Sequence, residues 1–150
     1  MKETHKEIFN VERLGIREKC LDAYKLFNDW KIMPQDRDDL VLALEEALTN
    51  IYEHGYRKSQ DDHCSVTLEI LKGNRDVYIM IADLARPFSL DSVNAPDINS
   101  YIESNKVGGF GVSLIKKIMN HVRAFQLFDE NVLIMQKELT PHAVVDSRPL

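Results

Sequence analysis

The stretch from Val66 to Ala82 constrains this chain more than any other. Val66, Leu68 and Ile70 alternate with Thr67 and Glu69, so successive side chains fall on opposite sides of a strand. Gly73-Asn74 marks a tight turn, and Val77-Tyr78-Ile79-Met80-Ile81-Ala82 then reads as a second, largely buried strand of one hairpin. An apolar sheet face needs a cover, and the segments around it have the period to supply one. Ile16, Cys20, Ala23, Tyr24 and Phe27 recur at helical spacing, which predicts an amphipathic helix over residues 11–31, stopped by Pro34. A second helix is predicted from Pro34–Asp36 to His54, with Gly55 as its C-cap and Leu40, Leu44, Ala47, Leu48 and Ile51 as its core stripe. Val112, Leu114, Ile115, Ile118 and Met119 mark a third helix with Lys116 and Lys117 on its outer face, and strands follow over 122–128 and 132–138, joined by Asp129-Glu130-Asn131.

The order is two helices, a hairpin, a long irregular loop over residues 89–107, a helix and a second hairpin. It predicts a two-layer α/β sandwich, with helices packed on one face of a mainly antiparallel sheet. With 150 residues, 44% of them hydrophobic, the chain can bury one core. Residues 1–10 read as a polar lead, 11–139 as the domain and 140–150, with two prolines and no period, as a flexible tail. The net charge of −5 offers no broad positive field to a phosphate backbone or an anionic membrane. The charged N-terminus and the absence of a long apolar run leave no signal peptide or membrane span, so a cytoplasmic protein is expected. Cys20 and Cys64 form no CxxC pair and have no zinc-spaced histidines, and read as plain thiols.

Three constellations carry chemistry. Glu46, Asn50 and His54 stand four residues apart on the second helix and so share one face beside the apolar stripe. Asparagine competes with the helix backbone for hydrogen bonds, so its presence there asks for a task, although satisfying a local amide would be one. Asp83 closes the buried strand before Leu84-Ala85-Arg86-Pro87; there it is a turn-former or an acceptor for an exocyclic amine. Gly108-Gly109-Phe110-Gly111 opens the third helix, and it is a packing or hinge element or a place where free amides face a phosphate.

Taken in this order, the three resemble the Bergerat nucleotide site of the GHKL ATPase superfamily. Residues 45–56 resemble its N box and residues 108–115 its second glycine box, both in the form seen in the anti-sigma-factor serine/threonine kinases, and the likeness runs from residue 11 to 139. It implies that the chain binds ATP with Mg²⁺: Asn50 would coordinate the metal, Glu46 would be the general base toward a serine hydroxyl and Asp83 would bind the adenine amine. Gly108, Gly109, Phe110, Gly111 and Val112 would cradle the phosphates, with His54 and Ala85 also lining the nucleotide site and residues 89–107 forming a lid. It further implies a partner-switching regulator of transcription that binds a sigma factor or a phosphorylatable anti-anti-sigma protein, has no direct nucleic-acid or membrane partner, and has room to form a homodimer. A catalytically weak partner-binding module of the same fold is the alternative. Two departures stand out: the first glycine box reads Asp83-Leu84-Ala85 where the family has Asp-x-Gly, and a threonine that usually shares a water with the adenine acid aligns here with Val132.

Overall fold

The computed structural model describes residues 2–56, 65–84 and 109–142. They form strand β1 (Glu3–Asn10), helices α1 (Arg13–Asp29) and α2 (Pro34–Asn50), a π-helical turn (Ile51–Tyr56), strands β2 (Ser65–Lys72) and β3 (Asp76–Asp83), helix α3 (Gly109–Ile118) and strands β4 (His121–Leu127) and β5 (Glu130–Glu138). The five strands make one sheet in the order β1-β2-β3-β5-β4, with every pairing antiparallel. The predicted sandwich is the fold observed.

The helices cover one face. Ile16, Cys20, Ala23 and Phe27 of α1, Leu40, Leu44, Ala47 and Leu48 of α2, and Ile115 of α3 with Met119 just beyond it are buried against Val66, Leu68, Ile70, Val77, Ile79, Ile81 and Met135 of the sheet. Tyr24, placed in the α1 stripe by its spacing, is 40% exposed, because its ring lies under the Arg37 guanidinium, 4.3 Å away, at the helix flank. Lys137 joins the layers: its buried Nζ donates to the Ile118 carbonyl at 2.8 Å and pairs with Asp39 of α2 at 3.1 Å.

Four local expectations change. The polar lead is an edge strand paired with β2 along its whole length, from Glu3↔Lys72 to Asn10↔Ser65. Its charged residues alternate, so Glu7 reaches Lys19 of α1 at 3.2 Å on the inner side, while Lys6 and Ile8 face outward. Helix α1 ends at Asp29, five residues before Pro34, because Lys31 adopts φ 56 and the Lys31 and Ile32 amides donate back to the Asn28 and Phe27 carbonyls. That is a Schellman stop built on lysine where glycine is usual. Gly55 does not cap α2, since the chain continues through the π turn to Tyr56. Thr140 is not frayed: its amide and hydroxyl donate to the buried Asp36 carboxylate at 2.7 and 3.2 Å, which ties the end of the sheet to the first turn of α2. The loop over 89–107 and residues 143–150 lie outside the described residues.

Candidate active site

Glu46 and Asn50 are one turn apart on α2, and both are half-buried beside the stripe of Leu44, Ala47 and Leu48. The Glu46 carboxyl is held above the usual glutamate range, first by burial and second by the charge of Glu45. An acid displaced toward neutrality is better matched to exchanging a proton with an alcohol than a fully solvated one. Asn50 is the last α-helical residue. The four-residue ladder holds from Glu46 to Asn50, and His54 falls in the wider i→i+5 turn that follows. Such turns recur at functional sites, and this one sits at the end of the helix that bears the ladder.

The glycine motif enters its helix earlier than its sequence suggests. Gly109, Phe110 and Gly111 are the first three residues of α3, so their amides have no acceptor within the helix, and Val112 follows in the same turn. No acid occupies that first turn and Lys116 and Lys117 occupy the last, a charge order that suits an anion at the positive end of the dipole. Helix α3 packs against α2, so the ladder and the glycine end belong to one helix layer. Gly108 and Ala85 lie outside the described residues.

Asp83 ends β3 on the inner side of the sheet and is 7% exposed. It shares that side with Ile79 and Ile81 and faces the helix layer. Its carboxylate accepts a hydrogen bond at 3.2 Å from Nδ2 of Asn131, its cross-strand partner on β5. Val132, where the sequence placed the position of the family threonine, points to the opposite side, paired with Ala82 and Phe125. Asn131 reads in sequence as a turn residue, and only the register of β3 against β5 gives it a role; the turn itself is Phe128-Asp129, with Phe128 at φ 54.

Among the described residues, no group of three or more His, Cys, Asp or Glu side chains could hold a metal by itself. Cys20 is no nucleophile, since burial, with Glu45 adding to it, pushes its thiol to about 12. None of the described helices is long and apolar enough to cross a membrane.

The chain is similar to known proteins. Residues 15–137 match the family model described as the histidine kinase-like ATPase domain. The serine-protein kinase RsbW of Listeria monocytogenes serovar 1/2a is 26% identical over 115 residues, covering 73% of this chain and 71% of that protein. The serine-protein kinase RsbW of Oceanobacillus iheyensis is 28% identical over 114 residues, covering 73% and 69%. Among solved structures, the RsbU and RsbW domains of a Mycobacterium tuberculosis protein superpose with a TM-score of 0.64 at 14% identity, over 91% of this chain and 32% of that one. The SiaB–SiaC complex of Pseudomonas aeruginosa superposes with 0.61 at 14% identity, over 88% of each chain. These two likenesses are likenesses of fold.

Proposed function

The chain belongs to the histidine kinase-like ATPase domain family, and from that premise we propose that it is an ATP-dependent protein-serine kinase acting as an anti-sigma regulator. In this reading it transfers phosphate to a serine on an anti-anti-sigma partner, and binds a sigma factor, in cytoplasmic partner-switching control of transcription. The similarity to serine-protein kinases named RsbW supports the activity. The observation that carries the reading is on α2, where a half-buried Glu46 with a raised pKa stands one turn ahead of Asn50. An inactive binding module would have no use for that pair, which favours the kinase over the alternative.

Bound Mg·ATP would supply the phosphoryl group and neutralise its charge. The protein's own part is positioning and proton transfer. Asn50 holds the metal through its amide oxygen. Glu46 accepts the proton of the incoming serine hydroxyl. The free amides of Gly109, Phe110 and Gly111 would receive the phosphates at the positive end of α3. The carboxylate of Asp83, which accepts and does not donate, selects the adenine amine over the guanine carbonyl. Calorimetric titration with ATP and GTP, with and without Mg²⁺, tests the site: ATP binding strengthened by Mg²⁺ is expected, and equal affinity for ATP and GTP would refute the assignment of Asp83.

Self-association belongs to the same reading. The sheet's outer face is uncovered among the described residues, and the strand registers align Lys6, Glu69, Met80, Ile134 and Arg123 across its middle. A twofold axis running between β3 and β5, parallel to the strands, sets Met80 of one copy on Ile134 of the other and Glu69 opposite Arg123, twice over. Sedimentation should therefore report a dimer that Ile134→Glu splits. It should also report that Arg123→Glu weakens the dimer and that adding Glu69→Arg restores it; a wild-type monomer at high concentration would end this part of the reading.

A further inference from the structure

We infer that Asn131 sets the base selectivity of the nucleotide site by holding the Asp83 carboxylate in its reading orientation. The inference rests on the proposed nucleotide site and adds to it a positioning residue that the sequence did not indicate.

The geometry is specific. Asp83 and Asn131 are directly opposed in the antiparallel pairing of β3 and β5, so both side chains emerge on the same, helix-facing side. An ionised carboxylate only accepts hydrogen bonds, so the amide must present its nitrogen, and Nδ2 lies 3.2 Å from Oδ1. The two carboxylate oxygens turn as one rigid group. Fixing the direction of Oδ1 therefore fixes that of Oδ2, and with it the line along which an exocyclic amine is met. Burial makes this matter: Asp83 is 7% exposed, and water does little to orient it. A neutral donor also orients the acid without cancelling its charge, as a lysine or arginine there would. Asn131 is itself half-buried and is the second residue of β5, so the backbone that carries its amide is paired on both sides, to Asp83 and to Gln126.

The chemistry predicts which ligands feel the loss. Inosine triphosphate differs from ATP in having a carbonyl where adenine has its amine, along with the matching ring proton, and tests the same edge of the base. In the wild type the carbonyl would face a carboxylate oxygen, so ITP should bind more weakly by about tenfold or more. Asn131→Ala removes the amide that sets this orientation. ATP affinity should then fall by about tenfold while ITP affinity changes little, so the ratio between them collapses toward one. Asn131→Ser keeps a donor and should restore part of the ratio. Asn131→Asp removes the donor, sets one acid against another and should not restore it.

Isothermal titration of ATP and ITP against wild type and the three variants, with thermal melts of each apo protein, decides the matter. A collapsed ratio in Asn131→Ala with partial rescue by serine is the expected result. An unchanged ratio, or equal losses for both nucleotides that track a lowered melting temperature, makes Asn131 a strand residue only and overturns the inference. Failure of the wild type to bind either nucleotide would overturn the nucleotide reading first and this inference with it, and that outcome is distinct from the others because it is seen before any variant is made.

Discussion

Replacing Glu46 by Gln separates chemistry from binding on α2. The substitution keeps the shape and reach of the side chain and removes its ability to take a proton. A positioned general base contributes about 10²–10⁴-fold, so transfer to a serine-bearing partner should fall by that factor. In barrier terms this is about 2.7–5.4 kcal/mol at 1.36 kcal/mol per decade. ATP affinity should stay close to wild type, because the base acts on the nucleophile. Stability should move the other way. Burial first and Glu45 second raise the Glu46 pKa in the folded protein, so the fold binds this proton more tightly than the unfolded chain does. The resulting stability is fully present below the unfolded value of about 4.3 and is lost as pH rises through the folded value; above that window the ionised group works against folding. Glutamine stays neutral throughout, so Glu46→Gln should resist urea at least as well as wild type at neutral pH. Wild-type transfer should rise with pH through a midpoint above the ordinary glutamate range, and the variant's residual rate should lack that step. Single-turnover phosphorylation across pH, paired with urea titrations, measures both. Full transfer by Glu46→Gln, or a variant less stable than wild type at neutral pH, would refute the placement of a base with a raised pKa here.

Asn50→Ala should weaken ATP binding in the presence of Mg²⁺ and leave the metal-free affinity nearly unchanged, so that calorimetry shows the gap between the two conditions closing. Asp36→Ala removes a buried carboxylate that accepts twice from Thr140 and sits in the first turn of α2. Taking the two bonds from the single residue Thr140 as one charged-group interaction of about 1.5–3 kcal/mol, with a helix-end charge at about 0.3–1, gives a loss of about 2–4 kcal/mol, read from urea midpoints. Lys31→Gly should raise stability by about 0.5–1 kcal/mol, since a left-handed residue with a Cβ costs roughly 1–2 kcal/mol and the greater freedom of glycine in the unfolded chain takes part of that back.

What the sequence made legible follows from how far apart the deciding residues lie. The cores of α1, α2, β2 and β3 are written as local periods, and Leu40, Leu44, Ile70 and Ile79 are as buried as their spacing requires. The Glu46–Asn50 ladder was legible for the same reason, since one helical turn sets it. Strand β1 was not, because Glu3, His5 and Glu7 show no apolar alternation; it is a strand because β2 presents a pairing edge about sixty residues later, with charge well suited to the outermost position. The stop of α1 was missed because a Schellman turn on Lys31 gives no glycine signal, and the π turn because its wider pitch leaves no mark in IYEHGY.

The adenine end shows the limit most sharply. Asp83 could be picked out as a strand-closing acid from its neighbours alone, but the residue that meets its carboxylate is 48 positions away and is chosen by the register of β3 against β5. Matching the last strand to a family pattern put that position at Val132, and a strand reverses its faces at every residue. Val132 therefore lies on the far side of the sheet from the acid, while its neighbour Asn131 sets an amide donor beside the carboxylate. The departure is one of chemistry: the acid is met by the amide of Asn131, reached directly across the strands. The base selectivity of this chain should accordingly follow residue 131, and substitutions at Val132 should change the outer face of the sheet and leave the ratio of ATP to ITP affinity where it was.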